Sequence, residues 1–200
     1  RDSGGSFKGF QGVALPPVFP VINARLDFPA DHPMLDHFRF VAEHTSVVPK
    51  ISIPGPSCCH FRVAPEDITV PEYQGDPQVL FDDLAATYKK AVDAFYAAGC
   101  RYLQMDDIFF AYLCDPTHRA AKADQGLDPD WLIERYAWMM REAIKDRPAD
   151  MLIGMHMCRG NFRSTHAAEG AYDMAAEAIF STGVDIFFME YDTDRAGGLE

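Results

Sequence analysis

Three side chains of types that bind metal ions lie in two short segments of the C-terminal half. His156 and Cys158 are two residues apart at the end of an apolar run, and Glu190 directly follows the next apolar run. Side chains two residues apart in a strand point the same way, so the imidazole and the thiolate could reach one ion. Nitrogen, sulfur and oxygen donors favour zinc over calcium or magnesium, and three protein ligands leave a position for substrate. In the alternative interpretation Cys158 and His156 are ordinary core residues and Glu190 pairs with Arg195.

A pair of carboxylates, Asp106 and Asp107, follows another apolar run. Aspartate at such a point commonly caps the next segment. The functional alternative is that one carboxylate receives a cationic group, such as the ammonium of a substrate. The sequence alone leaves both interpretations open.

Two other groupings of cysteine and histidine are weaker candidates for a metal site. Cys58, Cys59 and His60 are consecutive, and vicinal cysteines with a neighbouring histidine rarely converge on one ion. Cys114 and His118 are separated by a proline that predicts a turn. We therefore expect neither grouping to hold a metal ion.

The elements that would position these residues alternate between strand and helix. Helical spacing and capping signals predict helices after Asp31-His32-Pro33, from Asp76 to Gly99, from Asp128 to Pro148 and over 172–181, with a long loop at 57–76. Apolar runs predict five strands, at 18–24, 47–53, 100–105, 151–157 and 184–189. This alternation predicts right-handed βαβ crossovers and a parallel sheet, in which functional side chains collect at the carboxyl ends of the strands.

Three segments together resemble a known family. They are Gly99–Asp107 (GCRYLQMDD), His156–Phe162 (HMCRGNF) and Glu190–Gly197 (EYDTDRAG). They are similar to the cobalamin-independent methionine synthases, and more closely to shorter single-barrel relatives called methyltetrahydropteroyltriglutamate–homocysteine methyltransferase-like proteins. The resemblance extends from about residue 21 to the end of the chain.

The resemblance implies a TIM-type (β/α)8 barrel with a catalytic zinc ion. In that family the ion is held by His, Cys, Glu and a later Cys, which implies His156, Cys158 and Glu190 here and a fourth ligand beyond residue 200. Since 200 residues fall short of the roughly 250 of such a barrel, we expect residues 1–200 to form a partial catalytic barrel domain of about five consecutive βα units. The missing strands would then leave sheet edges open.

The resemblance also implies an activity. It is a zinc-dependent transfer of a methyl group from a methyltetrahydrofolate-type donor to the thiol of homocysteine, giving methionine. Asp106 matches the aspartate that contacts the substrate's amino group, and we assign its neighbour Asp107 to substrate binding as well. The alternatives are a related zinc-thiolate alkyltransferase with a corrinoid donor or another thiol, and a non-catalytic metal-binding barrel homologue.

The composition of the chain argues against some kinds of binding partner and indicates a cellular location. The net charge of −12 gives no basic surface for nucleic acid, and no apolar stretch approaches the about 18 residues that span a membrane. Five cysteines, an odd number, argue against a disulfide framework and favour the cytoplasm. The expected partners are therefore a small thiol substrate and a methyl donor, and the chain is compatible with a homo-oligomer.

Overall fold

A computed structural model describes residues 20–161 and 165–197. The central element of these residues is one parallel sheet. The sheet consists of four strands in chain order: β1 (Ile51–Pro54), β2 (Tyr102–Asp106), β3 (Leu152–Met157) and β4 (Ile186–Met189). Each strand pairs in parallel with the next one along the chain. The prediction of an α/β fold with a parallel sheet is confirmed.

The helices lie between these strands. They are α1 (Pro33–Glu43), α2 (Pro71–Gln74), α3 (Pro77–Ala97), α4 (Phe109–Tyr112), α5 (Pro116–Asp124), α6 (Pro129–Ile144) and α7 (Ala176–Phe180), with 3₁₀ turns at Pro56–Cys59 and Pro65–Asp67. The helices α3, α5 and α6 begin behind the aspartates at positions 76, 115 and 128. Each aspartate side chain caps its helix by accepting hydrogen bonds from N–H groups of the first turn. None of the helices in residues 20–161 and 165–197 combines the length and the apolar character that a membrane span needs.

The four predicted helices are present, although the last is shorter than expected. The turn predicted at Pro116 is wrong, because this proline opens α5 behind the Asp115 cap. A proline is well tolerated at the first position of a helix, where its missing N–H is not needed. The loop predicted at 57–76 contains both 3₁₀ turns and α2.

The first predicted strand, at 18–24, is wrong for residues 20–24, and residues 18 and 19 lie outside the described residues. Ile22 makes one isolated parallel bridge with Ile68. Its N–H donates to the carbonyl of Asp67 and its carbonyl accepts from the N–H of Thr69. This segment therefore packs against the 65–69 loop instead of joining the sheet, and the described residues form four strands where five were predicted.

The two faces of the sheet have different surroundings. Leu103, Met105, Ile153 and Met155 are fully buried in one apolar core together with side chains of α3 and α6. On the other face the side chains of β2 and β3 are partly exposed, and Leu152 and Phe188 remain 45% and 36% exposed. One face is thus covered by helices, and the other is open in the described part of the chain.

Candidate active site at the carboxyl end of the sheet

The register of the strands brings four of the predicted residues to one edge. Asp106 pairs with His156 across β2 and β3. Met157 pairs with Met189 at the ends of β3 and β4, so the next residues, Cys158 and Glu190, leave adjacent strands side by side. Parallel strands deliver their carboxyl ends to the same edge, which is the usual place for an active site in α/β folds.

An open cavity of about 720 Å³ lies at this edge. Among its lining residues are His156, Cys158, Asn161, Glu190 and Arg195. All three predicted metal ligands therefore face one space.

Asp106 lies beside this cavity and contacts the histidine. Its Oδ1 is 3.3 Å from Nδ1 of His156. The same oxygen accepts a 2.6 Å hydrogen bond from Nε2 of Gln104, which lies two residues earlier on the same strand face. The carboxylate is thus held between an amide and an imidazole.

His156 and Cys158 form an interacting pair. The hydrogen bond between them raises the pKa of the imidazole, and the charge of Asp106 raises it further. Burial raises the pKa of the Cys158 thiol, but hydrogen bonds from His156 and from the backbone N–H groups of Gly160 and Asn161 outweigh it, so this pKa lies below its usual value. Donors around the sulfur favour the thiolate, which is the form that binds metals.

The turn after Cys158 depends on a glycine. Gly160 donates its N–H to Sγ of Cys158 over 3.3 Å and has φ of +68°, a conformation that side chains disfavour. A Cβ at this position would also overlap the hydroxyl of Tyr112. A larger residue at this position would have to change the turn, and the N–H would then move away from the sulfur.

Glu190 is already engaged by three donors. Its Oε2 accepts from the backbone N–H of Arg159 at 3.0 Å and from Nδ2 of Asn161 at 2.6 Å, and its Oε1 lies 2.5 Å from the guanidinium of Arg195. Burial raises the pKa of the Glu190 carboxyl, but these contacts more than compensate and hold it below its usual value. The ion pair with Arg195, the structural alternative for this residue, is present.

The side chains of His156, Cys158 and Glu190 are of types that bind zinc, but they are not yet close enough together to share one ion. Imidazole, thiolate and carboxylate groups facing one cavity are a donor set typical of catalytic zinc. Among residues 20–161 and 165–197, however, no three His, Cys, Asp or Glu side chains stand close enough to hold an ion. The carboxylate of Glu190 must leave Arg195 and Asn161 before it can join His156 and Cys158.

Asp107 points away from this cavity. Its side chain is completely buried on the helix-covered side, where Oδ1 accepts a short hydrogen bond from the Ser57 hydroxyl and Oδ2 has no partner among the described residues. Burial raises the pKa of this carboxyl to about 7, although the hydrogen bonds with Ser57 lower it. This placement favours a role in holding the 55–57 loop, and the substrate contact assigned to Asp107 stays a prediction.

The Cys58, Cys59 and His60 side chains diverge. Cys58 donates from Sγ to the carbonyl of Asp106, Cys59 lies 3.5 Å from the hydroxyl of Tyr88, and Nδ1 of His60 is 2.7 Å from the hydroxyl of Tyr136. Burial lowers the pKa of His60 to about 3. We expected no metal site here, and each of these side chains has its own separate partner.

The sequence named Arg195 as a partner of Glu190, but it missed two other polar residues of the site, Gln104 and Asn161. Gln104 could have been found, since strand alternation puts it on the same face as Asp106. The contact of Asn161 depends on a turn whose geometry no local pattern encodes.

No known protein-family model matches the chain. Two uncharacterised proteins of Bacillus subtilis (strain 168), YxjG and YxjH, are each 41% identical to it, over 181 and 182 residues. These alignments cover 90% of this chain and 47% of each Bacillus protein. The chain thus spans about half the length of the curated relatives it matches.

A solved structure extends this similarity. It is a crystal structure of a protein from Listeria monocytogenes that is provisionally assigned as a vitamin-B12-independent methionine synthase. The identity is 40% and the TM-score 0.66, over 84% of this chain and 47% of the Listeria chain. The two molecules therefore share the arrangement of strands and helices in this region.

Proposed function

We propose that this chain forms the thiol-binding part of a methyltransferase of the vitamin-B12-independent methionine synthase type. The observation that carries the proposal is the meeting of His156, Cys158 and Glu190 at one cavity, with Asp106 beside them. The similarity to the Listeria protein supports the same reaction class. The parallel sheet in chain order, with one face open, is consistent with part of an eight-stranded barrel.

His156, Cys158 and Glu190 would hold a zinc ion. A bound zinc ion would supply positive charge that lowers the pKa of a substrate thiol, so that the thiolate is present at neutral pH. The N–H groups around Cys158 keep its sulfur in the ligating form, and the turn at Gly160 positions them. Because the Cys158 ligand is a thiolate and all five cysteines are free thiols, we also assign the protein to the cytoplasm.

Homocysteine suits this site because it offers a thiol and an ammonium on one small molecule. Both contacts described for Asp106 are made by Oδ1, and we assign Oδ2 to the substrate's ammonium. The thiolate then attacks the methyl carbon of a methyltetrahydrofolate-type donor. A sulfur–carbon bond forms as the donor–methyl bond breaks, and the donor leaves with the bonding electron pair and takes up a proton.

The test is a methyl-transfer assay on the complete protein loaded with zinc, with methyltetrahydrofolate and homocysteine as substrates and methionine measured by mass spectrometry. We expect turnover in the wild type and a loss of at least about 100-fold in Cys158→Ser, because one ligand is removed. Cys59→Ser, on the other side of the sheet, is the matched control and should retain activity.

Absence of methionine from a zinc-loaded protein would refute the proposed donor and acceptor. Methylcobalamin in place of methylfolate, or another thiol in place of homocysteine, then identifies a related alkyltransferase if either is consumed. A protein that binds zinc and consumes none of these substrates would be a non-catalytic homologue.

A further inference from the structure

A second cavity lies on the helix-covered side of the sheet, apart from the open cavity at the carboxyl edge. Its volume is about 320 Å³. Leu84, Ala91 and Phe95 of α3 form one wall, and Ile53 at the end of β1 forms the floor. None of the described residues assigned to the candidate active site lines it. Protein interiors contain few voids larger than a water molecule, so a cavity of this size indicates a binding site for a ligand.

The outer wall of this cavity is the segment 26–34, which is tied to α3 at two points. The guanidinium of Arg25 lies 2.7 and 2.8 Å from the two carboxylate oxygens of Asp83. Nζ of Lys90 lies 2.5 Å from Oδ1 of Asp27. This chain therefore already closes the space from outside, and the volume that remains is that of a small molecule and not of another protein segment.

The lining of the cavity is mostly apolar and has an opening to solvent. Asp27, Pro29 and Pro54 are exposed lining residues, so the cavity opens beside them. Asp27 is the one acidic residue among the described lining residues, and its carboxylate is paired with Lys90. A charged ligand would lose its hydration here without gaining a partner of opposite charge. The lining therefore favours a neutral, largely apolar ligand.

His32 gives the cavity one hydrogen-bond donor. Its Nδ1 accepts a 3.2 Å hydrogen bond from the N–H of Met34, so in the neutral ring the proton is on Nε2. That N–H has no hydrogen-bond partner among the described residues. The imidazole stacks on the ring of Phe28, with the ring centroids 4.8 Å apart. Two stacked rings and one donor suit an aromatic ligand with a hydrogen-bond acceptor.

We propose that the cavity between α3, the segment 26–34 and the end of β1 binds a neutral aromatic molecule of two fused rings with one hydrogen-bond acceptor. Its volume is about twice that of a cavity of roughly 150 Å³ that binds benzene. The pterin of a folate-type donor is a different kind of ligand, because its several polar groups would find few partners in this lining. The inference is independent of the metal site and of the methyl transfer proposed above.

Calorimetric titration of the complete protein with quinoline and with naphthalene tests the proposal. Quinoline has one ring nitrogen as its acceptor, and naphthalene is the hydrocarbon of the same shape. We expect each to bind saturably to one site per chain. Quinoline should also raise the melting temperature, because a ligand that binds only the folded state stabilises it.

Variants of α3 show whether the probes occupy this cavity. Ala91→Leu extends a side chain into the space and should weaken the binding of both probes at least about tenfold. Thr87→Leu fills the cavity from the preceding turn of the same helix and should act in the same way. Ala86→Leu is the matched control, since Ala86 is exposed on α3, and should leave both affinities unchanged.

The role of His32 is tested by comparing the two probes. His32→Phe keeps a ring against Phe28 and removes the Nε2–H. A hydrogen bond contributes about 1 kcal/mol, so the affinity for quinoline relative to naphthalene should fall about fivefold. The affinity for naphthalene should stay the same. An unchanged ratio in His32→Phe would refute the assigned acceptor.

Two further results would overturn the proposal. One is the absence of saturable binding of both probes, which would also result if another part of the complete protein fills the cavity. The other is an equal effect of Ala91→Leu and Ala86→Leu, which would place the probes elsewhere on the molecule. Neither result depends on whether the protein transfers methyl groups, so this test and that of the proposed function can fail separately.

Discussion

Asp106 and Asp107 are consecutive residues of the same type, and they meet opposite environments. Asp106 is 38% exposed on the open face and shares its carboxylate between Gln104 and His156. Asp107 is fully buried on the face covered by helices, bonded to Ser57. The alternation of side chains at the end of one strand puts one aspartate at the cavity and the next in the core.

The difference shows how each face is stabilised. On the covered side, backbone and side chain approach so closely that a Cβ on Gly55 would lie 2.5 Å from Cβ and Cγ of Asp107. On the open side, polar contacts between half-exposed groups determine the geometry. Substitutions near Asp107 should therefore change stability, and substitutions near Asp106 should change binding.

The largest change in stability should come from adding a methyl group at Gly55, where the loop packs against Asp107. Gly55→Ala places a methyl group against Asp107, and overpacking of this kind costs about 3 kcal/mol of unfolding free energy. Denaturant unfolding of the complete protein measures it. Gly75→Ala is the matched control, since nothing lies within 4 Å of its Cβ position and its backbone is already helical. Equal stability of the two variants would show that the approach at Gly55 is not close.

The next effect concerns the pH dependence of stability. The pKa of Asp107 is raised to about 7 in the fold, above its unfolded value near 3.9, so the unfolded chain loses this proton first as the pH rises. The free energy of unfolding should fall by about 2 to 3 kcal/mol between pH 5 and pH 8 through this group. Asp107→Asn should remove that part of the slope. A slope identical in both proteins would contradict the assigned burial.

A smaller effect is expected at the ion pair that holds Glu190. Arg195→Gln frees Oε1 to turn toward His156 and Cys158, and a partly buried pair of this kind is worth about 1 kcal/mol. Zinc affinity should therefore increase about fivefold in chelator competition. A decrease would show that Arg195 supports the binding position of Glu190 and does not compete for it.

The smallest effect on stability should be that of Asp106→Asn. A half-exposed group that keeps its hydrogen-bonding oxygen should change the free energy of unfolding by no more than about 0.5 kcal/mol. Comparing the unfolding free energies of Asp106→Asn and Asp107→Asn at pH 8 tests whether the two faces of the sheet differ as described. A large loss of stability in Asp106→Asn would mean that both aspartates serve the core.

The sequence predicted most of the covered side of the fold. Apolar stripes and aspartate–proline starts locate α3 and α6, and the apolar runs locate the four strands of the sheet. The strand prediction was wrong for residues 20–24, because an apolar run resembles a strand whether or not a partner strand is available. The helix α5 was missed because the same proline that ends one element can open another.

The site was predictable where strand alternation controls it. The same-side placement of His156 and Cys158 and the position of Glu190 follow from strand ends. The opposite orientations of Asp106 and Asp107 follow from the same rule. The ion pair of Glu190 with Arg195 was one of the two interpretations that the sequence offered. The contact of Glu190 with Asn161 could not be predicted, because it depends on the path of an irregular turn.

The most direct test of the proposed site is the metal content of the complete protein as purified from cells, measured by mass spectrometry together with Cys158→Ser. The proposed site predicts about one zinc per wild-type chain and little or none in the variant. A wild-type protein without zinc, or zinc retained in full by Cys158→Ser, would contradict the assignment of His156, Cys158 and Glu190 as a metal site.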